Sequence, residues 1–359
     1  MIQASQRTII PMQSMPSKEL PASDADDSGP VVFLSGPTAA GKTDIAVHLV
    51  DRFAAQIISV DSAQVFRGLD IGTGKPDRAL LARAPHRLID IRDPDECYSA
   101  AEFHADARRA IRAIRAEGRL PLLVGGTGLY FRALERGLSP LPKADRRLRE
   151  AFEIEAASIG WPAMHARLAQ VDAQAAKRIH PNDPQRIGRA LEIHGASGRS
   201  MSQWLESGRR HSLAAPICRI VLEPLEHDGD RSLLHRRIHD RFTGMLKKGL
   251  VDEVEALDRN WQLDAHSPSM RAVGYRQVRS FLRKEYGFDE MVERALAATR
   301  QLAKRQITWW RSERQSFRVD CHAPDRAERV AGRIDQFLAE CASASGGDCQ
   351  ATSALGLVN

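Results

Sequence analysis

The 359-residue chain is short of the features that would fasten it to a membrane or staple it with metal or disulfides. No stretch approaches the about 18 consecutive apolar residues that a bilayer span requires. Segment 1–29, rich in Ser, Pro, Gln and Asp, lacks the apolar run of a secretory signal. It reads, like the tail from about 342 onward, as a disordered extension. Cysteine is sparse: Cys97, Cys218, Cys321, Cys341 and Cys349 are scattered, and no two form a C-x-x-C pair. Neither a zinc site nor a disulfide framework is supported, and a reducing, cytoplasmic setting follows. The histidines show no ligand spacing, and no internal repeat is visible. Net charge is +6, a mild excess for a nucleic-acid binder, so the placement of charge says more than its sum. A hydrophobic share of 43% over this length suits one large α/β core with an insertion or second domain.

What is present begins with Gly36-Pro37-Thr38-Ala39-Ala40-Gly41-Lys42-Thr43, a G-x-x-x-x-G-K-[ST] loop between the apolar run Val31–Leu34 and a regular segment over 44–52. A strand feeds the loop and a helix follows it. The glycines let backbone N–H groups turn inward on an anion, and the helix N-terminus adds partial positive charge. Lys42 supplies a full charge, and the Thr43 hydroxyl is placed to ligate Mg²⁺. All eight residues are therefore expected to hold a phosphate or pyrophosphate. Whether that phosphate belongs to a nucleotide is left open by the motif.

Downstream, the β-branched run 56–60 ends on Asp61-Ser62. In a parallel sheet, strand C-termini share one crevice, so both residues fall beside the bound phosphate. Apolar spacing predicts a helix over 99–117 with Phe103, Ala107, Ala110, Ile111 and Ile114 inward. The buried strand 120–124 then closes on Gly125-Gly126-Thr127-Gly128, which is either a second donor turn at the crevice or simply a tight β–α connection. The prolines of 138–142 mark a hinge, and everything to about 212 is helical in pattern, including a helix opened by Asp183-Pro184. Strand character returns at 217–222. A turn at 267–274 leads into another helix start, and 290–318 reads as one long helix. Its stripe of Leu296, Thr299, Ala303, Ile307 and Trp310 is apolar, so Trp310 is assigned to the core rather than to base stacking. The other face carries Arg300, Lys304, Arg311 and Arg314; a solvated face would mix signs, so this one points to nucleic acid.

The expected fold is α/β: a P-loop NTPase-like parallel sheet flanked by helices, with a helical insertion domain. Its parts are an extension over 1–29, a core over 30–144 and 213–321, an insertion over 145–212, and a C-terminal helix and tail over 322–359. The chemistry is less settled. A nucleotide hydrolase follows its loop with an apolar strand ending in an acid, whereas 120–124 ends in Gly-Gly-Thr. The strand-end acid near the loop is Asp61, able to orient a hydroxyl for phosphoryl transfer or an amine for alkyl transfer, or merely to cap a turn. A small-molecule kinase is the plainest reading; the insertion and the basic helix favour a macromolecular acceptor.

Six blocks occur in order: the loop at 36–43, Asp61–Pro76, Gly125–Tyr130, Asp183–Arg186, Arg271–Gln277 and Thr299–Gln306. Through them the chain closely resembles the tRNA dimethylallyltransferases over about 31–319. Ala40, Phe66 and Gly74 depart from the usual Ser, Tyr and Ala, and none removes a charged or catalytic group. The absence of the zinc-finger extension of eukaryotic relatives favours the bacterial form. The resemblance implies transfer of a dimethylallyl group from its diphosphate to N6 of the adenosine just 3′ of the anticodon. The loop would hold the diphosphate with Mg²⁺ on Thr43; Lys42 and Arg271 would share the leaving-group charge, and Asp61 would be the general base. It also implies an RNA path along Asp61, Ser62, Ala63 and Gln64, then Thr127 and Arg149. Gln185, Arg186, Ile187, Gly188 and Arg189 continue that path, followed by Arg271, Ala272, Val273, Gly274, Tyr275 and Arg276, with Lys304 on the basic helix. For Arg186 and Arg189, plain surface charge is the alternative. The partners so implied are the tRNA anticodon stem-loop and dimethylallyl diphosphate; no protein partner is implied, and a monomer is expected.

Overall fold

A computed structural model of the chain describes residues 28–346, apart from 209–210, 225–230 and 265–266. Most of the 1–29 extension and the tail beyond 346 thus lie outside the described residues. The first half runs β1 (Val31–Ser35), α1 (Lys42–Phe53), β2 (Ala55–Val60), α2 (Arg78–Arg83), β3 (His86–Arg87), α3 (Ala100–Ala116), β4 (Leu120–Gly125) and α4 (Gly128–Arg136). Five helices follow: α5 (Arg146–Ile159), α6 (Trp161–Val171), α7 (Ala173–Arg178), α8 (Pro184–Ser197) and α9 (Met201–Glu206). The chain then forms β5 (Ile217–Glu223), α10 (Ser232–Lys247), α11 (Leu250–Asn260), α12 (Tyr275–Leu282), α13 (Phe288–Ser312), β6 (Phe317–Asp320) and α14 (Arg326–Gly346). Among the described residues, no helix is long and apolar enough to cross a membrane.

The strands build one six-stranded parallel sheet in the order β3-β2-β4-β1-β5-β6. Its strands are apolar on both faces because both faces are covered. Val32 and Leu34 of β1 point to one side, where α1 and α14 pack through Ile45, Leu49, Ile334 and Phe337. Val31 and Phe33 point to the other, against Phe103, Ile111 and Ile114 of α3, Tyr130 and Phe131 of α4, and Trp310 of α13. The α3 helix opens with a capping box in which Ser99 and Glu102 satisfy each other's backbone N–H groups. Register sets the site: Ser35 lies level with Gly125, and Gly125 with Val60, so the turns after β1, β4 and β2 meet at one edge.

Two helical groups flank this sheet. Residues 65–69 pack with α10 to α13 in a second core that includes Phe242, Leu250, Val254 and Tyr275. Helices α5 to α8 share a core of their own around Phe152, Met164, Leu168, Ile187 and Leu191. The C-terminal stretch differs from the sequence reading. The long helix stops at Ser312 rather than 318, and 317–320 form an edge strand in register with Ile220–Glu223. Glu313 caps the change, held by Arg132 and Arg136 of α4, and Val319 is buried where a continued helix would have faced outward. The helical segment also persists past 342, to Gly346.

Candidate functional site

The phosphate loop wraps the edge defined by β1. Gly36, at φ +151°, lies so close to β5 that a Cβ there would stand 2.3 Å from the Leu222 carbonyl oxygen. Only glycine permits that approach. Lys42 opens α1 and folds back over the loop, donating from Nζ to the carbonyls of Gly36 (3.0 Å) and Pro37 (2.7 Å). Enclosure lowers its pKa to about 8, the Arg241 guanidinium lowers it too, and the Asp61 carboxylate opposes the shift. The Thr43 hydroxyl is exposed at the first turn of α1.

Asp61, half-buried at the end of β2, faces this cation pair. Its Oδ1 accepts the backbone N–H groups of Ala63 (2.8 Å) and Gln64 (3.2 Å), so Asp61 does cap a turn. Oδ2 has no part in those two bonds. The Gln64 side chain accepts from the Ser59 hydroxyl (3.0 Å), and Thr127 Oγ1 accepts the Ser62 N–H (3.3 Å), tying the Gly-Gly-Thr turn to the Asp61 turn. That turn is therefore more than a β–α connection.

Two site residues escaped the sequence reading. Gln306 of α13 accepts the Thr38 N–H (2.8 Å) and donates to the Gly126 carbonyl (3.1 Å), bridging both glycine turns. Arg241 of α10 brings a positive charge that acts on Lys42; burial lowers its own pKa, and the Asp61 carboxylate opposes that shift. Arg271, expected in that role, is exposed at the end of the 3-10 turn Pro268–Arg271. The strand-end acids are also more numerous than expected. Glu223 ends β5 but is buried and paired with Arg318 (2.6 Å), and Asp320 ends β6, where Oδ1 accepts the His322 N–H (3.0 Å). Arg318, within the span 290–318 read as one helix, is thus a sheet-edge partner.

The residues of the expected RNA path divide sharply. Gln185, Arg186, Arg276 and Lys304 are exposed, and Arg186 pairs with Asp183 (3.4 Å). Ala63, Ala272 and Val273 are half-buried. Ile187 and Tyr275, expected along that path, have side chains fully buried in the two helical cores, so those side chains do not themselves face a surface. Gly188 lies against Trp161, and Gly274 precedes α12 at φ +94°. Arg149 and Arg189 converge on Glu192, which has no exposed surface: Arg149 Nη2 reaches Oε2 at 3.1 Å, and Arg189 Nη1 and the Asp145 N–H reach Oε1 at 2.9 and 2.6 Å. Arg189 also donates to the Pro142 carbonyl (2.6 Å), so it fastens the hinge before α5. Trp310 is core, edge-on to Phe131, and Trp309 lies under the Arg132 guanidinium at 3.9 Å.

Hard oxygen donors suit Mg²⁺, and the loop offers the Thr43 hydroxyl with the Asp61 carboxylate across the crevice. Among the described residues, Asp320, Cys321 and His322 also bring three ligand-type atoms within 4.8 Å of one another. Lys42 and Arg237 adjoin that group, and their charges oppose a cation there.

An IPP transferase family model matches residues 64–313. A tRNA dimethylallyltransferase of Thiobacillus denitrificans is 55% identical over 309 residues, covering 86% of this chain and 97% of the relative. One from Alkalilimnicola ehrlichii is 58% identical over 285 residues, covering 79% and 88%. The crystal structure of a Bacillus halodurans tRNA isopentenylpyrophosphate transferase superposes with a TM-score of 0.64 at 34% identity, covering 89% of this chain and 99% of that one. A eukaryotic dimethylallyltransferase acting on tRNA shares the fold, with a TM-score of 0.71 at 24% identity over 87% of this chain and 80% of its own. Matched along most of its length by model, sequence and fold alike, the chain belongs to the IPP transferase family, that of the tRNA dimethylallyltransferases.

Proposed function

We propose that the protein transfers a dimethylallyl group from dimethylallyl diphosphate to N6 of the adenosine immediately 3′ of the anticodon in tRNA, giving N6-dimethylallyladenosine. The observation that carries this reading is a phosphate loop with Lys42 folded over it, whose charge and that of Arg241 act on the Asp61 carboxylate in the turn after β2. The strand between their two turns, β4, ends in glycine rather than in an acid. The diphosphate occupies the loop 36–43, where inward N–H groups, Lys42 and Arg241 stabilise the charge of the departing group. Thr43, with the diphosphate oxygens, would hold Mg²⁺, which offsets more of that charge.

The adenosine leaves its stack to reach the crevice, since a stacked base cannot present N6 there. N6 attacks C1 of the allylic group, the C1–O bond to diphosphate breaks with its electron pair, and the N6 proton passes to Asp61 Oδ2. The Oδ1 atom stays in its turn bonds and fixes the carboxylate's direction. Gln306 holds the two glycine turns at constant separation while charge moves between them. Exposed Lys304, Arg300 and Arg276, with Gln185 and Arg186 on the helical lobe 145–212, contact tRNA phosphates. The setting we propose is the cytoplasm, and the state a monomer. The decisive assay supplies labelled dimethylallyl diphosphate, ATP and bulk tRNA together. Alkylated adenosine without ATP turnover is expected; stoichiometric ADP with no alkylated adenosine would establish a kinase instead.

A further inference from the structure

We infer that Glu253, backed by Tyr275, is a positioning residue of the diphosphate site: its grip on residues 70–72 holds the Thr73 carbonyl that fixes Arg241 beside the phosphate loop. The inference rests on the reading of that loop as the diphosphate site. Glu253, on α11, touches none of the loop itself. Its Oε2 accepts the N–H groups of Asp70 (3.1 Å) and Ile71 (2.8 Å), and its Oε1 accepts Gly72 N–H (3.2 Å) and the Tyr275 hydroxyl (2.5 Å). Four donors on one carboxylate make it the hub of this segment, and each such bond is charge-assisted. Tyr275 has no exposed surface and so cannot follow a moving loop.

The grip passes directly to the next residue. The Thr73 hydroxyl donates to the Leu69 carbonyl (2.6 Å) and closes the turn, while the Thr73 carbonyl points outward and accepts from Arg241 Nη2 (3.0 Å). Position 74 is glycine at φ +63°, and a Cβ there would stand 2.3 Å from Arg241 Nη2. The guanidinium therefore lies across the bare backbone of Gly74. From there its charge acts on Lys42 and Asp61. Lys75 secures the same segment independently, through the Phe66 carbonyl (3.0 Å), Asp70 (2.6 Å) and Asp90 (2.5 Å). Weakening Glu253 should thus loosen Arg241 without unfolding the segment.

The test measures KM for dimethylallyl diphosphate, KM for tRNA, kcat and the inhibition constant of inorganic pyrophosphate in full-length Glu253→Gln, Arg241→Ala and the double variant. Glu253→Gln should raise the donor KM and the pyrophosphate constant by about tenfold, the loss expected of a weakened charge-assisted contact, and leave the tRNA KM within about twofold. In the Arg241→Ala background the same substitution should add nothing. Tyr275→Phe, which keeps the ring and removes one donor from Glu253, should raise the donor KM by about threefold and carries the test if Glu253→Gln does not fold. The proposal is overturned if Glu253→Gln multiplies the donor KM equally in both backgrounds, or lowers kcat with both KM values unchanged. If Arg241→Ala leaves donor and pyrophosphate affinity untouched, the diphosphate reading itself fails.

Discussion

Asp61 performs two tasks that substitution can separate. As a turn residue it accepts two N–H groups through Oδ1, at 2.8 and 3.2 Å. Hydrogen bonds to a charged acceptor contribute roughly 1.5–3 kcal/mol each when fully buried; half-exposed and open to replacement by water, the pair is worth about 1–2 kcal/mol together. As a general base it should contribute about 10²–10⁴ in rate, or roughly 3–5.5 kcal/mol of barrier. Asp61→Ala loses both. Asp61→Asn keeps an acceptor at Oδ1 and loses only basicity, so its stability should stay within about 1 kcal/mol while the rate falls nearly as far. Denaturant unfolding gives the first quantity. Single-turnover prenyl transfer to an anticodon stem-loop, with donor saturating, gives the second. Saturation matters because removing the carboxylate also removes the field that helps keep Lys42 protonated. An asparagine variant within about tenfold of normal turnover would refute the base assignment and leave Asp61 as a turn cap.

Other consequences are equally direct. Gln306→Ala deletes two neutral hydrogen bonds between the glycine turns, worth about 1 kcal/mol each, and should lower kcat/KM for the donor roughly 30-fold; a loss under about threefold would show that the turns hold their spacing unaided. Because the pKa of Lys42 is depressed to about 8, the free enzyme loses this ammonium as pH rises through that value, and kcat/KM for the donor should fall on the alkaline side. Arg241→Ala removes a repulsion, so that limb should move to higher pH even as binding weakens; a limb that stays or moves down contradicts the pairing. Glu192→Leu strands the Asp145 N–H and two guanidiniums. With Arg149 44% and Arg189 30% exposed, the cost should be about 2–3 kcal/mol rather than the roughly 3–5 of a fully buried pair, read by denaturant unfolding, and under about 1 would place the clasp among solvated surface pairs.

Several parts of this protein were fixed by neighbours in sequence alone. The phosphate loop needs only contiguous residues: glycines for backbone freedom, a lysine and a threonine at set offsets, and an apolar strand before them. The inward face of α3 and its Ser99–Glu102 box are likewise written within a few turns, because helix period and capping are local. The Trp310 assignment to the core followed from the same period. Tertiary structure decided what depends on meetings across the chain. Gln306 reaches Thr38 over 268 positions, and Arg241 comes to Thr73 over 168. The block Thr299–Gln306 includes Gln306 without giving it a role, and nothing near Arg241 marks it, since only strand order and helix packing bring either residue to the loop. The short strand 317–320 was hidden because four residues after a strongly periodic helix carry little pattern, and pairing with β5 outweighs that pattern. Arg149 and Arg189 show the same limit for charge. In sequence an arginine facing RNA and one facing a buried glutamate look alike, and only the fold brings Glu192 beneath them to settle where those charges go.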